Sequence, residues 1–328
     1  MLAPARVRWA AHLEVGRQAT QAHRLLEAEH AYRAAWQVAK RLGPRSPEVL
    51  ESLKVLATHY RHAGDRRNAA RTARRLLALQ EAALGPRHPE LVSTYELLTD
   101  VYTGWQPAEV ERLYRRELAL VEHAFGPNHW QVARVLSNFA SHLSAHQRCG
   151  EAVALWQRAL AILDRQRRRR SEPPAWGLHL TPALLGLALC HSRLGQHAEA
   201  ERLYRRQLRR TARRRGPEDV SVSGVLFLVA IEVRAQGRPA RAAALLRRAI
   251  TLQDAWWGPR EGSMPEQARR AVGRLRLGVL REYAAVLREL GRSQAAGAVE
   301  TRIRRDQVRL GATDTASRTE PLTEQSDT

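Results

Sequence analysis

The chain has 328 residues, of which 44% are hydrophobic, and it carries a formal net charge of +21 at pH 7. Its two cysteines, Cys149 and Cys190, cannot form a disulfide framework, and no stretch approaches the roughly 18 apolar residues that a membrane helix needs, so composition excludes a disulfide-stapled secreted domain and a membrane-spanning protein. Ala, Leu, Arg and Glu dominate, and we therefore expect a helical, soluble and cytoplasmic protein that needs no cofactor.

Gly-Pro pairs divide the chain at nearly constant spacing. Their glycines are Gly43, Gly85, Gly126, Gly216 and Gly258, and the steps between them are 42, 41, 90 and 42 residues. The step of 90 spans two repeats, because "RRRRSEPPAWG" stands where a pair near residue 172 is missing. Glycine and proline end helices, so we predict seven helical hairpins over residues 1–310, joined near 43, 85, 126, 172, 216 and 258.

The seven repeats, numbered here from the N-terminus, share one internal pattern. Apolar residues recur at three- and four-residue spacing, as Leu53, Leu56 and Tyr60 do in repeat 2, and this predicts amphipathic helices. A glycine such as Gly64 then ends the first helix of most repeats. In most repeats each helix also carries a small residue, which lets the paired helices approach closely. In the first helices these are Gly16, Ala57, Ala140, Ala188, Ala230 and Ala284, and in the second helices Ala28, Ala69, Ala152, Ala200, Ala242 and Ala296.

Two repeats depart from the pattern. Repeat 3 has Thr99 and Val110 where small residues are usual. From Gly258 to Ala284 is 26 residues, so about 12 extra residues are predicted to lengthen the joint before repeat 7. The polar residues at 311–328 have too little apolar surface to fold, and we predict a disordered tail.

These repeats resemble the tetratricopeptide repeat (TPR) family. The string "EAERLYRRQL" (199–208), the turn glycines and the small residues are typical of it, and the 42-residue unit with its "LGPRHPEL" joint is similar to the kinesin-light-chain-like subgroup. The resemblance covers about nine tenths of the chain. It implies an all-α, right-handed superhelical solenoid that acts as a non-enzymatic scaffold or adaptor and binds a protein or peptide in a concave groove.

The resemblance also indicates which side chains of the first helices face that groove. In repeats 2 to 4 they are Glu51, Lys54, Thr58, Arg61, Ser93, Glu96, Asp100, Arg134, Ser137, Asn138 and Ser141. Asn138 matches the asparagine with which many family members hold a peptide backbone. The alternative for each of these residues is that it lies on a solvated polar face and contacts no ligand. Some members of the family hold a terminal carboxylate with a set of Lys, Asn and Arg side chains. This set is incomplete here, because Lys54 is the only lysine at a matching place. The acidic pair Glu96 and Asp100 would instead meet a basic ligand.

Repeats 5 and 6 place apolar residues at the corresponding positions, namely Leu185, Leu189, Phe227 and Ile231. They would form an anchor pocket for a partner side chain, or they would be covered by the long joint before repeat 7. We favour cover, because an exposed apolar patch is a liability on a soluble monomer.

The second helix of repeat 5 is rich in arginine, and six of these arginines are candidates for contact with a polyanion. They are Arg205, Arg206, Arg209, Arg210, Arg213 and Arg214. One alternative function is therefore a nucleic-acid- or ribonucleoprotein-associated protein. The resemblance implies another, the regulatory part of a bacterial signalling system, because such repeats often accompany a sensor or kinase. The competing explanation is a solvated outer face under an arginine-rich coding bias, since Lys40 and Lys54 are the only lysines.

Sequence motifs that would indicate a catalytic or metal-binding site are missing or incomplete. The sequence has no phosphate loop, no dinucleotide fingerprint and no paired Cys-x-x-Cys. His142 and His146 have helical ligand spacing, but no third ligand is indicated. Trp130, Trp156, Trp256 and Trp257 are interpreted as core residues.

Overall fold

The structure of the protein is a computed structural model, and it describes residues 2–169, 177–260, 263 and 266–310. Within these residues it is all-helical, which confirms the predicted fold class. The fourteen helices of the described residues are α1 (Leu2–Gln21), α2 (Leu25–Lys40), α3 (Pro47–His62), α4 (Arg66–Leu84), α5 (Leu91–Tyr102), α6 (Pro107–Phe125), α7 (Trp130–Ala145), α8 (Cys149–Arg169), α9 (Gly177–Arg193), α10 (His197–Arg215), α11 (Val220–Ala235), α12 (Pro239–Trp257), α13 (Glu266–Glu289) and α14 (Ser293–Leu310). The joint near 172 and the tail at 311–328 lie outside the described residues. No helix in the described part is long and apolar enough to cross a membrane.

The chain forms two compact units. Unit 1 comprises Met1–Ala145 and Ala154–Leu180, and unit 2 comprises His146–Val153 and the described residues from Thr181 onward. In unit 1, helices α1 to α7 each pack on the next helix in sequence, and in unit 2 helices α10 to α14 do the same. Within unit 1 the helix pairs of repeats 1 to 3 share one apolar core that runs from Leu13 to Leu120, as expected of stacked hairpins.

The small residues lie where the paired helices meet. In the two helices of repeats 2 and 6, Ala57, Ala69, Ala230 and Ala242 are each 0% exposed. In α1, a Cβ placed on Gly16 would come within 2.4 Å of the Tyr32 ring. A larger residue at Gly16 would therefore force α1 and α2 apart.

The turn within each hairpin needs one residue in the left-handed backbone conformation. Gly64, Gly195, Gly237 and Gly291 supply it with φ between 71° and 78°. In repeats 1 and 4 the corresponding residues are His23 (φ 57°) and Gln147 (φ 61°). A residue with a Cβ is strained in this conformation by about 1 kcal/mol or more, so these two turns are less favourable than the glycine turns.

We expect Gln147→Gly to raise the free energy of unfolding by about 1 kcal/mol, because glycine removes the strain at φ 61°. Gln147→Ala is the control, since alanine keeps the Cβ and should leave stability nearly unchanged. Urea denaturation followed by circular dichroism measures both variants. Equal stability of all three proteins would contradict the strained turn.

The Gly-Pro joints prepare the start of the next helix. Gly43, Gly85, Gly126 and Gly216 all have positive φ. The residue three positions after each glycine accepts a hydrogen bond from a backbone N–H, which belongs to the first turn of the next helix except after Gly85, where it belongs to the residue just before α5. The acceptors are Ser46 Oγ (3.3 Å), His88 Nδ1 (3.3 Å), His129 Nδ1 (3.3 Å) and Asp219 Oδ1 (2.8 Å). Ser46, His129 and Asp219 are therefore helix caps, whereas His88 binds Glu90 N–H within the joint ahead of α5.

The joint after repeat 6 differs from the others. Gly258 has φ −48°, a right-handed helical value. The extra residues predicted to lengthen this joint do not all belong to it, because α13 begins at Glu266 and runs for 24 residues. Part of the insertion therefore lengthens the first helix of repeat 7 at its N-terminal end. The expectation that all of the extra residues belong to the joint was wrong.

Candidate functional site

A depression of about 620 Å³ lies on unit 1, where the N-terminal halves of the first helices α3, α5 and α7 follow one another. Five of the predicted groove residues line it together: Glu51, Lys54, Ser93, Glu96 and Arg134. Apolar side chains complete the wall, namely Pro47, Leu50, Pro89, Val92 and Trp130. The depression thus combines charges of both signs with an apolar surface.

Arg134 is the electrostatic centre of this depression. Its guanidinium group pairs with Glu96 of α5 and, at 3.1 Å, with Glu117 of α6, and it also donates to Gln131 at 2.8 Å. The Arg134 side chain is only 14% exposed. One buried cation therefore joins three consecutive helices, and Glu96 already has a partner within the protein instead of awaiting a basic ligand.

Glu117 is 1% exposed at the floor of this network. Burial is the main reason that the pKa of Glu117 is raised to about 7; the carboxylates of Glu96 and Asp100 act in the same direction, whereas Arg134 opposes them. The carboxyl group therefore changes charge near neutral pH, and the net charge around Arg134 changes with it.

Two further contacts shape the depression. Thr94 Oγ1 donates to Gln80 Oε1 at 2.6 Å, which ties the end of α4 to α5 beneath the surface. Lys54 is exposed, and its ammonium group is a cation on the rim. A ligand carboxylate or backbone carbonyl can reach Lys54 without breaking the ion pairs that join Arg134 to Glu96 and Glu117.

The other predicted groove residues of unit 1 lie outside the depression. Thr58 is half-buried and donates to the Lys54 carbonyl at 2.9 Å. Arg61 and Asp100 approach to 3.6 Å, so the second acidic residue also has an internal partner. Asn138 and Ser141 are exposed on α7.

Ser137 corrects the predicted set. It is 5% exposed, and its hydroxyl oxygen has no hydrogen-bond partner. Ser137 therefore belongs to the packed face of α7 and cannot contact a ligand in the groove. Its neighbour Asn138 takes the exposed position.

The apolar positions of repeats 5 and 6 have different environments. Leu189 is 41% exposed, whereas Leu185 and Ile231 are half-buried. Phe227 lines a cavity that α13 also lines, so the helix at the predicted long joint lies beside this residue. Cover by repeat 7 therefore applies to Phe227 and does not extend to Leu189.

The arginines of α10 divide into two groups. Arg205 pairs with the buried carboxylate of Glu201 at 2.8 Å, and Arg210 donates to Thr181 at 2.9 Å, while Arg206 is half-buried. Arg209, Arg213 and Arg214 are exposed. Three of the six arginines predicted to contact a polyanion, Arg205, Arg206 and Arg210, are thus half-buried in unit 2.

Sequence reasoning missed four residues of the unit 1 site. Trp130, interpreted as core, is half-buried on the wall, whereas Trp156 and Trp257 are buried as predicted. Gln80, Gln131 and Glu117 were not singled out. The signal of Gln80 and Glu117 was weak, because a polar residue on a second helix is expected to face solvent until its neighbours are known. Gln131 lies on the first helix α7, where one polar residue carries no distinguishing signal. Among the described residues, no group of three His, Cys, Asp or Glu side chains is arranged to hold a metal ion.

Comparison with known proteins agrees with this architecture. The family model described as tetratricopeptide repeat matches residues 180–255, which span most of repeats 5 and 6. A protein from Podosopora anserina described as a kinesin light chain with nearly identical TPR-like repeats is 24% identical, with a TM-score of 0.53, and the match covers 65% of this chain and 98% of that one. No curated protein sequence matches the chain.

Two larger proteins have similar folds. A signal transduction ATPase of the STAND type with a TPR sensor, from Pyrococcus horikoshii, is 13% identical, with a TM-score of 0.54 over 91% of this chain and 42% of that one. Aspartyl phosphate phosphatase F from Bacillus subtilis is also 13% identical, with a TM-score of 0.54 over 94% of this chain and 73% of that one. These matches confirm the TPR-type helical fold and the resemblance to kinesin-light-chain-like repeats.

Proposed function

We propose that this TPR-type chain is a non-enzymatic protein-interaction scaffold that holds a peptide segment in the depression of unit 1. The observation that carries the proposal is that three consecutive first helices bring Lys54, Glu96 and Arg134 together with the apolar wall around Trp130. Such a surface offers an apolar contact and polar groups at fixed positions, which is what recognition of an extended peptide requires. The cytoplasmic location stays a prediction from composition.

The polarity of the surface supports a peptide with mixed character. Arg134 is held by two carboxylates, so its charge is largely balanced inside the protein. Lys54 on one side and Glu90 on the other present opposite charges to a ligand. We therefore expect a bound segment to place an acidic group near Lys54 and an apolar side chain against Trp130.

The exposed arginines of α10 give less support to the nucleic-acid alternative. Tyr204, the aromatic residue of α10, is 3% exposed, so its ring cannot stack on a base. Two arginines of the same helix already serve ion pairs or hydrogen bonds inside unit 2. The scaffold function therefore explains more of the described contacts.

Selection of peptides from a random display library on the full chain tests the proposal. We expect Lys54→Glu and Ser93→Trp each to weaken the selected peptides at least tenfold, by charge reversal and by filling the depression. Arg67→Glu and Ala82→Trp are matched controls, because both residues are exposed on α4 and do not line the depression. Peptides that bind all four variants equally, or a library that yields no binder, would contradict the proposal. Isothermal titration calorimetry gives the affinities.

A further inference from the structure

The depression of unit 1 contains a cluster of one cation and two carboxylates. Arg134 of α7 lies between Glu96 of α5 and Glu117 of α6 and pairs with both of them. Arg134 and Glu96 line the depression, whereas the Glu117 side chain is only 2% exposed behind them. When all three groups are ionised, the cluster carries a net charge of −1. Solvent screens a buried charge poorly, so the carboxylate of Glu117 is felt in the depression.

Two further groups act on Glu117 without changing charge near neutral pH. The carboxylate of Asp100 lies on α5, and it is partly balanced by Arg61 of α3 at 3.6 Å. On α6 itself, burial raises the pKa of Tyr114 to about 12, so its hydroxyl group stays protonated. The negative charge that varies near pH 7 is therefore that of Glu117.

Two histidines also lie close to the cluster. The His142 ring of α7 has its centre 6.1 Å from that of Tyr114. The His179 ring of α9 stacks on Trp130 with the ring centres 5.7 Å apart, and burial, followed by the charge of Arg134, lowers the pKa of His179. An imidazole can change charge between pH 5 and pH 8, so a test of Glu117 needs a variant that keeps both histidines.

Protonation of Glu117 changes what the depression presents to a ligand. Burial is the main cause that raises the pKa of Glu117 to about 7, so the carboxyl group is about half protonated there. The neutral form leaves Arg134 balanced by Glu96 alone, and the cluster then has no net charge. The depression is therefore less negative below pH 7 than above it.

An acidic ligand must respond to this difference. Lys54 on the rim attracts a ligand carboxylate, and an ionised Glu117 repels it. Two like charges about 10 Å apart near a protein surface weaken binding about fivefold once salt screening is included. Coupling between two binding events is reciprocal, so an acidic ligand favours the protonated form of Glu117 by the same factor.

From these observations we propose that the depression of unit 1 takes up an acidic peptide together with a proton, and that Glu117 holds the proton. The proposal rests on the peptide-binding function proposed above and names what regulates that site. Acidic segments bind more tightly as pH falls below neutral, and uncharged segments bind with little change. Glu117 thus determines specificity without touching the ligand.

A peptide selected from the display library at pH 6 that contains a single Asp or Glu is the probe, and it is measured on the full chain by calorimetry. We expect it to bind about fourfold more tightly at pH 5.5 than at pH 8.5. The same peptide with Asn or Gln at that position is the matched control, and we expect it to bind almost equally at both pH values. This comparison needs no variant of the protein.

Glu117→Gln supplies the second arm, because it keeps an acceptor for Arg134 and cannot titrate. We expect the acidic peptide to bind this variant almost equally at both pH values. Glu122→Gln, on the same helix, removes a carboxylate that pairs with Arg158, and it should keep the wild-type dependence. At pH 7, calorimetry in buffers of different ionisation enthalpy should show uptake of about a third of a proton by the wild-type protein and almost none by Glu117→Gln.

The outcomes separate this proposal from the peptide-binding function. An acidic peptide that is weakened by Ser93→Trp but has the same dissociation constant at both pH values overturns the proton coupling and leaves the peptide site standing. A pH dependence that persists in Glu117→Gln assigns the proton to another group and overturns the coupling as well. A library without binders, or binders that Ser93→Trp does not weaken, contradict both proposals.

Discussion

Ala230→Arg is expected to lower the free energy of unfolding of unit 2 by about 4 kcal/mol. Ala230 is 0% exposed in α11, and α12 packs against this helix with Ala242, also 0% exposed, at its own small-residue position. An arginine at this point would overpack the helix pair and bury a charge without a partner. Both effects act in the same direction, which is why we expect a loss this large.

Ala235→Arg provides the control in the same helix. Ala235 is exposed and is the last residue of α11, where a cation is favourable. We expect its stability to stay within about 0.5 kcal/mol of the wild-type value. Guanidinium denaturation of the three proteins decides the matter, and an unchanged midpoint for Ala230→Arg would show that the register of the small residues is wrong.

The second large effect concerns pH. Burial raises the pKa of Glu117 to about 7 in the folded protein, whereas the ordinary value of 4.5 applies in the unfolded chain. Between these two pH values the folded protein keeps a proton that the unfolded chain has released. Stability therefore falls as pH rises through this window and levels off above it. Glu117 should account for about 2 kcal/mol of the loss between pH 5 and pH 8.

Glu117→Gln removes this contribution while keeping an acceptor for Arg134. We expect the variant to match the wild-type protein at pH 5 and to be more stable by about 2 kcal/mol at pH 8. Glu122→Gln is the control, because this carboxylate is on the same helix and pairs with Arg158 at a more exposed site. Urea denaturation at several pH values gives the comparison, and parallel curves for the wild-type and Glu117→Gln proteins would refute the shifted pKa.

The architecture was largely predictable because it rests on local signals that recur. Turn glycines, joint glycines and small residues each satisfy a backbone or packing requirement that no other residue type meets as well. Gly64 with φ 78° and Gly16 against Tyr32 are examples in which the sequence pattern and the observed geometry have the same cause. The N-terminal part of α13 was missed for the same reason, since the spacing of Gly-Pro pairs assigned those residues to a joint although "EQARRAV" is composed largely of helix formers.

The site was less predictable, because its properties depend on contacts between repeats. On α7, Arg134 lines the depression and Asn138 is exposed, whereas Ser137 is buried, since serine is small enough to be buried without a visible change in the hydrophobic pattern. The partners of Arg134 are 38 and 17 residues away along the chain, at Glu96 and Glu117. Spacing within one repeat could not indicate either pair.

The helix caps of the joints have a consequence for how such a chain can change in length. Because Ser46, His129 and Asp219 lie three residues after their joint glycines, the segment that begins at such a glycine carries two helices and the group that caps the first of them. An in-frame duplication or deletion of about 42 residues therefore adds or removes one complete hairpin and leaves the caps at the remaining joints in place. The recurring cap makes the repeat a unit of inheritance as well as a unit of folding.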